Sequence, residues 1–355
     1  MVSLRSAASI MDAIDKDSYE VIPVGISREG TWFSGPDAWL SLWEKRPPKE
    51  AALTTFLTDP NRPGLLIQSD QSPLEWHHQP IDLAFPVLHG TYGEDGTIQG
   101  LFEMAGIPYV GSGVLASGAA MDKVVMKILF RQLDLPVAGY IYFYRWQYNG
   151  REQYWLERVG RSPGYPCFVK PANLGSSVGI TKVQSAEGLH AAVEEALLYD
   201  DKVIIEAFIM GREIECSVLG DTEPAASRPG EIIPCNEFYD YRAKYIDDRS
   251  ELIVPVELGT ALENKIRQYS IKAFQAVEAS GLARVDFFLR PEENSSDDRV
   301  VINEINTLPG FTSISMYPKL WEASGLGYRE LVSRLLKLAE KRYDRRRSLL
   351  VSPSE

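Results

Sequence analysis

Cysteine and histidine are scarce in this chain, at three and four among 355 residues. The cysteines (Cys167, Cys216, Cys235) are odd in number and lack metal-ligand spacing, which excludes a disulfide framework and a thiolate zinc site and reads as buried, reduced thiols. Positive charge is also short: 37 Lys and Arg stand against 49 Asp and Glu, for a net charge of -12. That balance argues against nucleic acid as the main partner but not against a nucleotide, whose phosphates need only a few local cations. No apolar h-region opens the chain, so no signal peptide is expected. No uncharged apolar run approaches the roughly 20 residues of a membrane helix. The expectation is a cytoplasmic protein with neither membrane nor nucleic acid as partner. What is present, 45% apolar and 24% charged residues, fits a folded protein, and the length calls for two or three packed units.

Residues 1–121 alternate between helix and strand signals. Ser3 is placed to cap a helix with Leu4, Ala7, Met11 and Ile14 on its apolar face. Strands are expected over Tyr19–Ile26 and Leu83–Leu88, and a helix through Ile98, Leu101, Phe102 and Ala105 ends at Gly106. This is a parallel α/β pattern, although it opens on a helix where such a domain usually opens on a central strand. From 122 to 207 the signals change to a helix (Val124–Leu133), strands near Ala138–Tyr144 and Cys167–Lys170, a glycine-serine loop and a further helix. Over 208–355, strands are expected at Glu213–Leu219, Ile232–Pro234, Ala283–Leu289 and Val300–Ile305. Helices are expected at 261–280 and around Leu331, Leu335 and Leu338. The basic run Lys341–Arg347 reads as a solvated helix end.

Three segments carry chemistry. Alternate residues of a strand share a face, so Arg284 and Asp286 point one way, as do Glu304 and Asn306. If the two strands pair, three oxygen donors converge beside one guanidinium, a set suited to magnesium completed by phosphate. Two edge strands with solvated polar faces would show the same alternation. The second segment is Lys170 followed by a loop of small residues from Ala172 to Gly179, able to lie over phosphates. It is not a P-loop, since G-x-x-x-x-G-K-[ST] is absent, and a plain hairpin loop would read alike. Gly111-Ser112-Gly113 matches a dinucleotide fingerprint only loosely. The third segment, Glu206 to Ile209 with Glu213 beyond, offers backbone to an adenine edge and a carboxylate to a ribose.

Together these segments resemble the ATP-grasp superfamily, and closely the D-alanine–D-alanine ligases, from Val2 to about Ala339. The markers are Val2-Ser3-Leu4-Arg5-Ser6-Ala7, Leu88-His89-Gly90 with Gly93-Glu94-Asp95-Gly96-Thr97, Tyr109 to Gly113 followed by Met121-Asp122-Lys123, Gly175 to Gly179, Tyr239 to Tyr245 and Asn306 to Thr312. The resemblance implies an N-terminal α/β domain followed by a two-lobed ATP-grasp fold, with ATP between two antiparallel sheets. It implies D-alanine and ATP as substrates, two ions of magnesium or manganese, and a homodimer. Lys123, Lys170, Ser177 and Lys244 match phosphate contacts, and Glu206 and Glu213 the adenine and ribose positions. Asp286, Glu304 and Asn306 match the metal ligands. Arg284 and the Gly310 N–H match the stabilisers of the tetrahedral oxyanion. Ser315, with Met316 beside it, matches the contact to the second substrate's carboxylate, and His89 lies near the first substrate.

The long polar stretch 236–254 reads as a lid that excludes water. The resemblance implies that it ends a hydrogen-bonded group running from Ser176 to Tyr245, and that a tyrosine there favours D-alanine rather than D-lactate as second substrate. One departure stands out. The family begins with a strand and a glycine-rich turn ending in a glutamate, and Met1 stands at that glutamate's position. A start site placed too far downstream would account for this, and low stability is then expected. The alternatives are an ATP-binding paralogue that no longer ligates, or a ligase taking another second substrate such as D-lactate or D-serine.

Overall fold

The computed structural model describes residues 2–35, 38–44, 51–69, 72, 74–175, 177–233, 251–291 and 299–350. Ser176, Lys244, Tyr245 and most of the expected lid lie outside these residues.

Helix α1 (Val2–Ala13) starts before Ser3, so Ser3 does not cap it. Its hydroxyl instead accepts the His89 backbone N–H at 3.2 Å. The expected strand over Tyr19–Ile26 shortens to β1 (Val24–Ile26), which begins an antiparallel meander in sequence order. This meander contains β2 (Trp32–Ser34), β3 (Ala52–Leu57), β4 (Gly64–Gln68) and β5 (Trp76–Pro80), with α2 (Ala38–Glu44) between β2 and β3. The N-terminal unit is thus mixed α/β, but its described sheet is antiparallel rather than parallel. The parallel pairing expected of Leu83–Leu88 survives as one bridge, Ala84 to Tyr109. The rest of that segment is extended chain held by side-chain burial, with Leu83, Phe85 and Val87 packed against residues of α1 and of the C-terminal helix. Helix α3 (Thr97–Ala105) ends as expected at Gly106, whose φ of 64° fits a left-handed cap.

Helices α4 (Val114–Met121) and α5 (Lys123–Gln132) lead into the central lobe. Asp122 caps α5 by accepting from the Val124 and Val125 N–H groups. The lobe holds β6 (Tyr140–Tyr144), α6 (Arg145–Tyr148), α7 (Glu152–Arg161), β7 (Cys167–Pro171), β8 (Thr181–Val183), α8 (Leu189–Ala196) and β9 (Lys202–Ala207). Its four strands form an antiparallel sheet in the order β6-β9-β7-β8. Cys167 and Cys216 are buried free thiols, as the sequence implied.

The largest sheet comprises β10 (Arg212–Gly220), β11 (Ala225–Ala226), β12 (Gly230–Ile233), β13 (Glu251–Ile253), β14 (Gly281–Leu289) and β15 (Val300–Asn306). It runs β13-β12-β10-β14-β15, with β11 beside β10. Helix α9 (Thr260–Ala276) covers one face: Val285, Phe287 and Leu289 of β14 bury against Ile266, Ala273 and Phe274. The alternate residues Arg284, Asp286 and Phe288 face the other way. Helices α10 (Met316–Ala323) and α11 (Tyr328–Arg347) close the fold.

Gly111-Ser112-Gly113 serves packing. A Cβ on Gly281 would sit 3.1 Å from the Gly111 backbone nitrogen, and Gly281 has a φ of +76°, so only glycine fits this meeting of chains. Ser112 reinforces it through its hydroxyl, which donates to the Ser280 carbonyl and accepts the Ser280 N–H. The basic run also departs from expectation. Arg342 is buried and donates to the Gly111 and Tyr109 carbonyls, with its guanidinium 4.2 Å over the Tyr109 ring. Arg345 and Arg346 reach Asp221 and Glu103. At Arg342 the end of α11 is a clasp on the N-terminal unit, while Lys341, Asp344, Arg345, Arg346 and Arg347 are exposed as expected of a solvated end.

Candidate active site

Between the four-stranded sheet and the open face of the largest one lies a cleft of about 540 Å³. Seven of the expected site residues line it: Lys123, Lys170, Ser177, Glu206, Glu213, Asp286 and Glu304. Phe168, Phe208, Ile209 and Met210 give it an apolar wall.

One wall is cationic. Lys123 follows the Asp122 cap, and its ammonium donates to the Leu174 carbonyl at 2.6 Å, which ties α5 to the glycine-serine loop. Lys127, one helical turn later, is almost wholly buried and donates to the Asn303 carbonyl at 2.9 Å. Glu206 on β9 lies between two lysines, with Lys170 at 2.6 Å and Lys127 at 2.9 Å. Burial works against the Glu206 charge, yet Lys127 and Lys170 hold its carboxyl down to about 2. Burial likewise pushes Lys123 and Lys127 below the usual lysine range. Three lysines around one carboxylate leave a surplus of positive charge, an arrangement suited to a polyphosphate.

The facing wall is anionic. In the antiparallel register Glu215 of β10 lies opposite Asp286 of β14, and Asp286 opposite Glu304 of β15. Three carboxylates therefore form a row across adjacent strands. Arg284 serves two of them: it grips Asp286 with two hydrogen bonds of 2.7 Å, and its Nε lies 2.9 Å from Glu215. Asn306 donates its amide to Asp286 at 3.0 Å. The register shifts after Asp286, so that Phe287 pairs with Ile302 and Asn303 is passed over. Such a bulge re-aims a side chain. It lets Ile302 stay in the core while Glu304 faces the cleft, and the carbonyl of Asn303 receives Lys127.

Three carboxylates against one guanidinium call for added positive charge, and their hard oxygens suit a divalent cation. Among the described residues no three His, Cys, Asp or Glu side chains close a cation site alone. Asp286 and Glu304 with the Asn306 amide oxygen fit magnesium of the kind that takes its remaining ligands from phosphate and water. Of the two Asp286 oxygens, Oδ2 accepts from both Arg284 and Asn306, and Oδ1 accepts from the Arg284 Nε.

The remaining expected residues gather beyond the end of β15. The ring of His89 contacts the Leu308 carbonyl through Nδ1 at 3.0 Å and the Ser6 hydroxyl through Nε2 at 3.3 Å. Ser6 also accepts the Phe311 N–H. Ser315 accepts the Thr312 N–H at 3.1 Å and exchanges a hydrogen bond with the Thr312 hydroxyl at 2.8 Å. A Cβ on Gly310 would sit 3.3 Å from the Ser315 hydroxyl, so these two groups are neighbours, and Met316 opens α10 beside them. This loop continues from Asn306 but does not line the cleft.

Sequence reasoning missed Lys127, Glu215 and the cleft-lining Lys182. A signal existed for the first two: Lys127 repeats Lys123 at four-residue spacing, and Glu215 repeats Glu213 at strand spacing.

The Glu206 environment predicts a pH signature. A carboxyl held at about 2, against an ordinary 4.5, contributes stability that is complete above pH 4.5 and is lost as pH falls towards 2. Glu206→Gln leaves two buried lysines without their counter-ion, at a cost of about 3 kcal/mol or more at neutral pH. The melting-temperature gap between the variant and the parent is expected to shrink as pH falls from 5 to 2. A gap independent of pH contradicts this account.

Comparison with known proteins agrees with the geometry. The D-ala D-ala ligase N-terminus family matches residues 1–112, and the D-ala D-ala ligase C-terminus family residues 129–337. A D-alanine–D-alanine ligase of Heliobacterium modesticaldum is 50% identical over 342 residues, covering 96% of this chain and 91% of that protein. One of Geobacillus kaustophilus is 47% identical, covering 98% and 93%. Among solved structures, the VanG D-Ala:D-Ser ligase of Enterococcus faecalis superposes with a TM-score of 0.83 at 34% identity, covering 95% of each chain. The D-alanine–D-alanine ligase of Coxiella burnetii gives 0.79 at 36% identity, covering 98% of this chain and 91% of that one. With both halves matched by the same family and near-full-length relatives on both counts, this chain belongs to the D-alanine–D-alanine ligase family, on an ATP-grasp fold.

Proposed function

We propose that this chain joins two D-alanine molecules into D-alanyl-D-alanine, with ATP consumed to ADP and phosphate. The observation that carries the reading is the pair of opposed walls, lysines on one sheet and carboxylates in register on the other. Metal-bound ATP is a ligand whose two charges match both at once. The carboxylate of the first D-alanine attacks the γ-phosphorus and ADP leaves. The amine of the second then attacks the acyl carbon, and phosphate leaves with the bridging oxygen.

Lys123 and Lys170 hold the phosphates, with Ser177 in the loop above them. The backbone beyond Glu206 meets the adenine edge, and Glu213 at the cleft takes the ribose. Asp286, Glu304 and Asn306 would hold two magnesium or manganese ions, which when bound offset charge on the transferring phosphoryl group. Arg284 and the Gly310 N–H stabilise the oxyanion at the acyl carbon. Ser315, oriented by Thr312, receives the carboxylate of the second D-alanine beside Met316. His89 positions the first D-alanine. Lys244 completes the phosphate contacts, and Ser176 and Tyr245 the catalytic set, as residues matched to the family by sequence. We read the chain as three units (1–121, 122–207 and 208–355) and the enzyme as a cytoplasmic homodimer serving cell-wall precursor synthesis.

Incubation with ATP, magnesium and D-alanine tests the reading, with phosphate release and product mass recorded. D-alanyl-D-alanine and one phosphate per dipeptide are expected. D-serine or D-lactate offered beside D-alanine should give less mixed product than D-alanyl-D-alanine. Preferential formation of a mixed product would reassign the second substrate, and ATP binding without turnover would make the chain a nucleotide-binding relative.

A further inference from the structure

Lys127 is buried deeply enough that it cannot meet a phosphate, with 1% of its side chain exposed. It sits on the core-facing stripe of α5, where a Leu or Met would pack without desolvating a charge. Its ammonium has two engagements, one on each side of the cleft. It lies 2.9 Å from Oε1 of Glu206 in the four-stranded sheet and donates at 2.9 Å to the Asn303 carbonyl in the largest sheet. The other oxygen of Glu206 holds Lys170 at 2.6 Å.

These contacts determine how much positive charge the cleft can offer. Glu206 paired with Lys170 alone would form a closed, neutral ion pair, and a nucleotide would have to compete with a buried carboxylate for that lysine. Glu206 shared with Lys127 is already compensated from behind, which leaves the charge of Lys170 to act into the cleft. The second engagement fixes the passed-over residue of the bulge beside Glu304. We infer that Lys127 is a positioning residue for metal-bound ATP: it offsets Glu206 so that Lys170 stays available to the phosphates, and it pins the bulge that aims Glu304. This inference rests on the ATP-binding reading above but not on the identity of the amino-acid substrates.

The test is a double-mutant cycle on the full chain, read as the dissociation constant of magnesium-ATP by calorimetry without amino acid. K127M is expected to weaken ATP binding about tenfold in the parent and less than about threefold in the E206Q background, because the carboxylate that would compete for Lys170 is then gone. K127R, which keeps the charge, is expected to stay within about threefold of the parent. Equal weakening in both backgrounds contradicts the offset of Glu206 by Lys127, the part of the inference that the cycle reads. So does K127R binding as poorly as K127M, or a K127M that melts lower but binds ATP unchanged. A parent that binds ATP but forms no dipeptide counts against the ligase reading alone and leaves the cycle fully readable.

Discussion

Asp286→Asn is expected to lower the rate of dipeptide formation on the order of a thousandfold, with the fold intact. The substitution is nearly isosteric, but it strikes the centre of the carboxylate row. Asp286 accepts two hydrogen bonds from Arg284 and one from Asn306. An asparagine can accept at one oxygen only, and its amide nitrogen would face a guanidinium donor. Arg284 then loses its bidentate grip, and Glu215 is left as its charged neighbour in the row. The guanidinium is expected to swing towards Glu215, away from the acyl carbon we propose it serves. Loss of one anionic oxygen also weakens the hold on the cation, so half-maximal activity should need several-fold more magnesium. Phosphate release measured across a magnesium titration reads both effects. A rate within threefold of the parent at the same magnesium requirement would remove Asp286 from the site.

The largest effect on stability away from the cleft is expected at Arg342. Its guanidinium donates to two buried carbonyls and lies over the Tyr109 ring. Truncation to alanine strands those carbonyls and opens a space, at about 3 kcal/mol in sum. Arg346, two-residue neighbour to Asp344 on the same turn, pairs with Glu103 at a half-exposed site, where an ion pair contributes about 0–1 kcal/mol. R342A should therefore melt about 4 °C below the parent and R346A within about 1 °C of it. Equal and small shifts would mean that the clasp of α11 on Tyr109 and Gly111 is not what seats the N-terminal unit.

Much of the site is legible in the sequence, because it lies on strands with a strict period. Arg284 and Asp286 fall on alternate positions of an otherwise apolar run, and so do Glu304 and Asn306; the structure pairs the two strands with those residues together. The bulge was not legible. It depends on which residue of one strand faces which of the other, and a period within one strand carries no register. Lys127 was hidden for a related reason: a lysine on an amphipathic helix usually reaches solvent, and only the packing of α5 between both sheets buries it. Arg342 had a visible cue. The apolar stripe Leu331, Leu335 and Ala339 continues three residues later onto Arg342, although a run of basic residues masks it. The segment Leu83–Leu88 has the composition of a buried strand, yet it bridges a neighbour at Ala84 alone. Apolar composition specifies burial there, and hydrogen-bond partners decide whether a strand forms.

The most direct test of the account follows oxygen. D-alanine labelled with ¹⁸O in its carboxylate is supplied with ATP and magnesium, and the released phosphate is analysed by mass. Carboxylate attack on the γ-phosphorus, followed by displacement at the acyl carbon, predicts one ¹⁸O in each phosphate and D-alanyl-D-alanine in equal amount. Unlabelled phosphate would mean that water, not the carboxylate, attacked ATP between the two walls, and would contradict the assignment of this cleft to acyl-phosphate chemistry.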